Sequence, residues 1–242
     1  MNKNIVFIIS IQKDERSQNQ AHYYSILSWT KWAEKNNASV FVLDENLLNP
    51  PQWNKIMVFH LLEANEIEYD RILYVDADTI VHPDMPNIFE MYEPGYFYGV
   101  QNFGSMDWVI RSIENYSHHM FNDYMFSWSE YINTGVMLFD KSHKKLFDWL
   151  IDLNDKNYLK LREVEQLGVG KDQPVINFGI HLNDIKLKLL PYEYNMQDLI
   201  RSELLGGDFL FTKFGWIYHF NCGVKPTPKF WMEETVKYLK II

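Results

Sequence analysis

The fold class of this chain can be read from Arg71-Ile72-Leu73-Tyr74-Val75-Asp76-Ala77-Asp78-Thr79, a short apolar run that ends in two carboxylates one residue apart. Residues 72–75 are all apolar and are bounded by charge, which predicts a strand buried on both faces of a sheet. Because an unpaired buried carboxylate is very costly, Asp76 and Asp78 need water, a cation or hydrogen-bond donors. Hard oxygen ligands at the carboxyl end of such a strand suggest Mg²⁺ or Mn²⁺ that holds a phosphate-bearing ligand. The alternative is a loop that begins with two solvated acids.

The segments before this strand predict a β-α-β-α-β order. Residues 4–11 and 39–43 are apolar runs of strand length, and apolar residues recur at helical spacing between them and again in residues 53–64. Strands that alternate with helices form a parallel sheet with right-handed crossovers, on which ligands lie outside the carboxyl ends of the strands. The sequence therefore predicts an α/β fold with the two aspartates at the ligand-binding edge.

The rest of the chain has a less regular pattern. Residues 101–130 are rich in aromatic residues, Ser, Asn and His and show poor periodicity. A strand is expected over residues 131–139, interrupted by Asn133-Thr134-Gly135, and Asp172 begins a predicted helix. The other predicted elements are strands at 96–100, 185–190 and 215–220 and helices at 146–161 and 233–241. No repeat or linker divides the 242 residues, so we expect one domain.

Composition excludes several classes of function. The formal net charge is −9 and there is no block of basic residues, which argues against a nucleic-acid-binding protein. An acidic protein that handles an anionic nucleotide needs a cation between the two, in agreement with the paired aspartates. Cys222 is the only cysteine, so an intrachain disulfide is impossible. No apolar run approaches the length of a membrane span, and we expect a soluble, cytoplasmic protein without a transmembrane segment.

Four segments occur in an order that resembles the retaining glycosyltransferases of family 8, the glycogenin and galactinol-synthase type, which have the GT-A fold. The segments are Tyr74-Val75-Asp76-Ala77-Asp78-Thr79, Ile132-Asn133-Thr134-Gly135-Val136-Met137, Lys171-Asp172-Gln173-Pro174-Val175-Ile176-Asn177 and His219-Phe220-Asn221-Cys222-Gly223-Val224-Lys225-Pro226. The ordered set carries the resemblance, since each segment alone is common. It implies a Rossmann-like, mixed and mostly parallel sheet flanked by helices. Residues 1–100 would form a nucleotide-binding half and residues 101–242 an acceptor and catalytic half.

The resemblance also implies a reaction, in which a hexose moves from a nucleotide-sugar, expected to be a UDP-sugar, to an acceptor. Asp76, Asp78 and His219 would bind Mn²⁺ or Mg²⁺, and the imidazole favours Mn²⁺ because Mg²⁺ prefers all-oxygen ligands. The implied catalytic residues are Asp172 and Gln173 at the anomeric centre and Lys225, which would neutralise the leaving diphosphate. The residues implied to hold the donor and its cation are Lys55, Asp76, Ala77, Asp78, Asn133, Gly135, His219, Gly223 and Lys225.

The route of a retaining transfer stays open at this point. Asp172 or Gln173 could act as a nucleophile or stabilise an oxocarbenium-like centre, or the leaving phosphate could guide an attack on the same face. The acceptor is open as well. It could be a glycan, a protein, a lipid or a small molecule, and self-glycosylation on one of the fifteen tyrosines is a further alternative.

The chain departs from the family pattern at three places. Cys222 occupies the position of a family glycine, with Gly223 one residue later, although the spacing from the histidine to Lys225 is preserved. Thr227 stands where the family has a Trp after Lys-Pro. Residues 10–30 lack the usual nucleotide-binding stretch in clear form. The expectation of uracil as the base therefore comes from the family and not from these residues.

Two other functions fit parts of the pattern. A phosphatase of the haloacid dehalogenase class also has a strand-terminal D-x-D, but it places a Thr two residues after the second Asp, whereas Thr79 follows directly here. A non-catalytic sugar- or nucleotide-sugar-binding protein of the same fold is the other alternative. At single positions, Asp172 could be a helix N-cap and Asn133 part of a bulge, and the lysines and the histidine could be ordinary surface or core residues.

Overall fold

A computed structural model describes residues 3–11, 19–197, 199, 208–221 and 228–242 of the chain. The strands in these residues are β1 (Asn4–Ile9), β2 (Ala38–Leu43), β3 (Arg71–Asp76), β4 (Thr79–Val81), β5 (Phe97–Gln101), β6 (Ile132–Asp140), β7 (Leu187–Leu190) and β8 (Ile217–His219). The α-helices of the same residues are α1 (Asn19–Lys35), α2 (Val58–Ala64), α3 (Met106–Met120), α4 (Lys144–Lys156), α5 (Tyr158–Glu165), α6 (Asp172–Leu182) and α7 (Pro228–Tyr238). Among the described residues, no helix is both long enough and apolar enough to span a membrane.

Six strands form one mixed sheet in the order β2-β1-β3-β6-β5-β7, and β4 and β8 form a separate two-stranded ladder. β1 pairs in parallel with β2 and β3, and β5 pairs in parallel with β7. β6 runs antiparallel to both of its neighbours, β3 and β5. The predicted fold, a mixed and mostly parallel sheet flanked by helices that starts with a β-α-β-α-β order, is confirmed.

The central strand β3 is buried on both faces, as its apolar run predicts. Ile72 and Tyr74 belong to the core on one side of the sheet, and Leu73 and Val75 belong to the core on the other side. Successive side chains of a strand point to opposite faces, so helices must cover both sides of such a strand. A strand closed in this way can offer polar side chains to a ligand at its ends, which is where Asp76 lies.

The sequence pattern does not predict α3, which lies in the region of poor periodicity. The side chain of Ser105 caps this helix by accepting a hydrogen bond from the Trp108 backbone N–H. The buried face of α3 combines apolar residues with two serines: Val109, Ser112, Ile113, Tyr116 and Ser117. The buried serines hide the apolar period that would identify a helix. The sequence also predicts one helix over residues 146–161, whereas the structure has two, α4 and α5, which meet at Asn157.

β6 is irregular at Asn133-Thr134-Gly135, where the sequence predicts an interruption. Along β5 the pairing partners on β6 jump from Met137 to Asn133, so residues 134–136 bulge out of this ladder. β6 is nevertheless one continuous strand of nine residues. A bulge of this kind frees backbone N–H groups from the neighbouring strand and makes them available to side chains.

Candidate active site

The acidic turn after β3, residues 76–78, is joined to a distant part of the chain by the β4–β8 ladder. Thr79 of β4 pairs with His219 of β8, and the next backbone N–H after His219 donates to the carbonyl of Asp78 at 2.9 Å. The Thr79 hydroxyl donates to the carbonyl of Asp76 at 2.7 Å and accepts from the indole N–H of Trp29 at 2.9 Å. These contacts hold the turn and place a histidine beside the two aspartates.

The side chains of Asp76, Asp78 and His219 converge so that one ligand atom from each lies within 4.8 Å of the others. Nε2 of His219 lies 3.1 Å from Oδ1 of Asp78 and 3.9 Å from Oδ2 of Asp76. Burial lowers the pKa of His219, but the negative charges of Asp78 and Asp76 and the close contact with Asp78 together outweigh burial, and the pKa is raised. Burial raises the pKa of Asp78, but the attraction to His219, the contact with its ring, a backbone N–H and the nearby His22 together outweigh burial, and that pKa is lowered. The structure thus brings together the three residues that the sequence assigned to a metal.

Two carboxylate oxygens of this cluster are open to a cation. Oδ1 of Asp76 accepts from the Tyr74 hydroxyl at 2.6 Å and lies 3.4 Å from the ammonium of Lys55, whereas Oδ2 faces His219. Oδ1 of Asp78 is buried and has no well-aligned hydrogen bond in the described part of the chain. Carboxylate oxygens without donors, beside an imidazole nitrogen, fit a divalent cation such as Mn²⁺ or Mg²⁺.

Lys55 joins two of the predicted site acids. Its Nζ lies 2.9 Å from Oδ2 of Asp172 and 3.4 Å from Oδ1 of Asp76, and it also reaches the carbonyl and hydroxyl oxygens of Thr134 at 3.5 and 3.4 Å. Burial lowers the pKa of this buried lysine, but Asp172 and Asp76 outweigh burial and raise the pKa well above its usual value. Asp172 is the first residue of α6 and does not cap it, since Lys171 precedes the helix and no side chain caps this end.

The N-terminal end of α6 is fastened to the bulge of β6. Oε1 of Gln173 accepts from the Thr134 backbone N–H at 3.2 Å. One turn later, the fully buried amide of Asn177 accepts from the Ile132 N–H at 2.7 Å and donates to the Ile132 carbonyl at 2.9 Å. The helix that carries Asp172 is therefore held in register with the strand that carries Asn133 and Gly135, two of the residues implied to hold the donor.

Asn133 lies in a row of amide side chains. Its Oδ1 accepts from the Gly135 backbone N–H at 2.9 Å and from Nδ2 of Asn195 at 3.0 Å. Its Nδ2 donates to Oδ1 of Asn102 at 3.3 Å, and this oxygen also accepts from Nε2 of Gln173 at 3.4 Å. The row connects the metal-ligating cluster to the start of α6, because Asn195 also contacts the imidazole of that cluster at 2.9 Å.

Two clefts reach these residues. The first has a volume of 240 Å³, and its lining includes Ile9, His22, Pro51, Gln52, Lys55, Asp76, Ala77 and Asp78. The second has a volume of 450 Å³, and its lining includes Asn102, Ser105, Trp108, Arg111, Asn133, Gln173 and Asn221. The first cleft is thus built from residues before position 79 and the second from residues after position 101.

Several residues of the site were not among the sequence predictions. Tyr74 could have been found, because residues i and i+2 of a strand share a face and Asp76 follows it at that spacing. His22 and Asn195 lie in segments whose patterns contain no signal of a site. Two predicted residues, Gly223 and Lys225, lie outside the described residues, so their roles stay predictions.

The mixed sheet, the acidic turn after β3 and the histidine that converges on it define a glycosyltransferase of the GT-A class. More narrowly, the chain belongs to glycosyltransferase family 8, because the model of the family described as "Glycosyl transferase family 8" matches residues 3–233. The protein is therefore a glycosyltransferase enzyme, as the sequence predicts. A comparison with curated protein sequences finds no match.

Three solved structures with this fold are distant from this chain in sequence. A glycosyltransferase involved in the glycosylation of the major capsid of PBCV-1 aligns over 99% of this chain and 100% of its own, with a TM-score of 0.61 and 11% identity. The bifunctional glycosyltransferase WbbM aligns over 98% of this chain but 50% of its own, with a TM-score of 0.63 and 16% identity. Mouse xyloside xylosyltransferase 1 aligns over 92% of this chain and 98% of its own, with a TM-score of 0.53 and 14% identity. Likeness at these identities concerns the fold alone.

Proposed function

We propose that the protein transfers a hexose from a nucleotide-sugar, a UDP-sugar, to an acceptor hydroxyl in a cation-dependent reaction that retains the anomeric configuration. The observation that carries the proposal is the cluster of Asp76, Asp78 and His219, whose ligand atoms lie within 4.8 Å of one another. A diphosphate beside two carboxylates of a protein with a net charge of −9 would be repelled. A divalent cation bound by the cluster would offset this repulsion and allow the site to hold the diphosphate of a nucleotide-sugar.

The residues present favour Mn²⁺ over Mg²⁺, because one of the three ligands is an imidazole. A cation held by Asp76, Asp78 and His219 would stabilise the negative charge that develops on the departing nucleoside diphosphate. Lys225 is proposed as a second positive charge for the same diphosphate. Lys55 lies between the carboxylates of Asp76 and Asp172, where its positive charge reduces their mutual repulsion and fixes their positions.

The two clefts support a division of the substrate between two halves of the chain. We propose that the nucleotide occupies the 240 Å³ cleft, which residues of the 1–100 half line, with Ala77 beside the diphosphate. The hexose and the acceptor would occupy the 450 Å³ cleft, which residues of the 101–242 half line. Amides such as those of Asn133 and Gln173 hydrogen-bond sugar hydroxyls well because they both donate and accept.

The contacts of Asp172 favour a stabilising role over a nucleophilic one. Its Oδ2 is bound to the buried ammonium of Lys55 at 2.9 Å and accepts from the Thr134 hydroxyl at 3.5 Å. Engagement of Oδ2 makes this oxygen a weaker nucleophile, whereas the carboxylate as a whole would still stabilise an oxocarbenium-like carbon. We propose that the acceptor oxygen bonds to the anomeric carbon on the face from which the phosphate leaves. The leaving phosphate oxygen takes the acceptor proton, and Gln173 orients the sugar.

The proposal is tested by incubating the protein with Mn²⁺ and a panel of UDP- and GDP-sugars while released nucleoside diphosphate is measured. We expect one UDP-sugar to be consumed and to raise the melting temperature, both only with the cation present. Asp78→Ala should abolish both effects, whereas Asp152→Ala, which removes an exposed carboxylate of α4, should change neither. The configuration of the product, read by proton NMR, tests retention.

Three results would contradict this function. If no donor is consumed and none raises the melting temperature, the protein does not use nucleotide-sugars. A donor that raises the melting temperature without being consumed would indicate a sugar-nucleotide-binding protein. Turnover by the Asp78→Ala variant would contradict the assignment of Asp78 as a ligand of the cation.

A further inference from the structure

Asn195 is a fully buried amide that connects the imidazole of His219 to the bulge of β6. Its Oδ1 lies 2.9 Å from Nδ1 of His219, and its Nδ2 donates to Oδ1 of Asn133 at 3.0 Å. The backbone of the next residue is tied to the same histidine, since the His219 N–H donates to the carbonyl of Met196 at 2.9 Å. Asn195 is thus held beside the ring by the chain itself and not by its side chain alone.

The direction of the hydrogen bonds in this row is set by a backbone group. The Gly135 N–H can only donate, and it points at the Asn133 amide at 2.9 Å, so the atom that Asn133 presents there must be its oxygen. Asn195 faces the same oxygen and must therefore present its nitrogen, which leaves its oxygen for His219. A carbonyl oxygen can only accept, so Nδ1 of His219 carries the hydrogen.

The bulge of β6 is the reason that this backbone group is available. Residues 134–136 leave the β5 ladder, and the N–H of Gly135 turns to a side chain. If the amides were reversed, two donors or two acceptors would face each other at buried positions, at the free-energy cost of unsatisfied buried polar groups. The orientation of the amides is therefore a property of the strand geometry and not an arbitrary choice between two similar atoms.

We propose that Asn195 is a positioning residue that keeps the proton of His219 on Nδ1 and thereby leaves the Nε2 lone pair for the divalent cation of the proposed function. Gly135 and Asn133 impose this state from a distance, since neither needs to contact the cation. Histidine ligands of metals commonly have their other ring nitrogen held by such an acceptor, which orients the ring and fixes the tautomer.

Binding of Mn²⁺, followed by the electron paramagnetic resonance signal of the free ion, tests this role in three variants. Asn195→Leu should weaken binding by about 10- to 100-fold, in the range found for lost outer partners of metal ligands. Asn195→Asp still accepts from Nδ1 but places a second oxygen against Oδ1 of Asn133, so its binding should lie between that of Asn195→Leu and that of the unchanged protein. Gln197→Leu is the matched control, because Gln197 is a buried amide two residues away that binds the Gln101 carbonyl and the Phe103 N–H.

The tautomer is read directly from the ¹⁵N signals of His219 in the metal-free protein, at alkaline pH where the ring is neutral. The signals are assigned by their loss in His219→Gln. We expect a protonated Nδ1 in the unchanged protein and in Asn195→Asp, and a mixture of both tautomers in Asn195→Leu. A protonated Nε2 in the unchanged protein, or Mn²⁺ binding that is the same in Asn195→Leu, would overturn the role of Asn195. If the unchanged protein binds no Mn²⁺, the proposed function fails, and the nitrogen signals alone then decide whether Asn195 sets the tautomer.

Discussion

Gly135 lies so close to the imidazole of His219 that a methyl group at this position would overlap Cε1 of the ring. The same methyl group would lie 2.9 Å from Oδ2 of Asp76 and 2.9 Å from Oδ1 of Asn133. The glycine is therefore required by the packing of a proposed metal ligand, and not by a left-handed backbone, since its φ is not among the positive values of the described glycines.

Gly135→Ala should therefore weaken Mn²⁺ binding by at least about tenfold, because the ring of His219 must move away from the two aspartates. Calorimetric titration with Mn²⁺ measures this effect. Gly95→Ala is the control: Gly95 has a φ of +82° and no atom near its missing side chain, so this change strains the backbone far from the site. Equal metal affinity in Gly135→Ala and the unchanged protein would show that the ring does not need this space.

Lys55→Met should lower the free energy of unfolding by about 3–5 kcal/mol, because it leaves the buried carboxylate of Asp172 without its partner 2.9 Å away. Lys55→Met combined with Asp172→Asn should recover a large part of this loss, since no unpaired charge then remains buried. Urea unfolding of the four proteins gives the interaction energy as a double-mutant cycle. Additive effects of the two changes would contradict the pairing.

Asn177→Leu should lower the free energy of unfolding by about 1–3 kcal/mol for each backbone group that loses its partner. The Ile132 N–H and carbonyl, bound at 2.7 and 2.9 Å, are both buried behind this amide and cannot turn to water. Asn183→Ala removes a comparable bond at the end of the same helix, to the Gly179 carbonyl, but at a partly exposed position. Thermal unfolding should show a much larger loss of stability for Asn177→Leu than for Asn183→Ala. Similar losses in the two variants would contradict the role of Asn177 in attaching α6 to β6.

Stability should fall in mild acid because of His143, which is 2% exposed. Burial lowers the pKa of His143 in the folded protein below the value of about 6.5 in an unfolded chain, even though Asp140 opposes it. The unfolded state then binds the proton more readily. The contribution of His143 is complete above about pH 6.5 and is lost as the pH falls through the folded pKa.

The free energy of unfolding, measured by urea titration between neutral and mildly acidic pH, should therefore decrease with falling pH. His143→Gln should make the free energy of unfolding depend less on pH. The control is His60→Gln, which also removes one histidine, but at an exposed position of α2. An unchanged slope in His143→Gln would mean that other groups are responsible.

Local patterns were sufficient to predict the elements of the first half of the fold. The apolar runs before Asp76 predict β1, β2 and β3, because a strand buried on both faces has a distinctive composition. α3 escaped prediction because its buried face includes Ser112 and Ser117. The short strand β4 escaped as well, since three residues after the acidic turn become a strand only when β8 pairs with them.

Residue types and their spacing were sufficient to predict that two acids end a buried strand and that an amide-bearing strand, an acidic helix start and a histidine follow in that order. Those features depend on residue type and spacing along one segment. The bridge that Lys55 makes between Asp76 and Asp172, and the contact of Asn195 with His219, arise instead from the folding of distant segments onto one another. Hydrogen-bond direction and ion pairing depend on which groups meet in space, and the groups that meet here are separated by 21 to 117 positions in the chain.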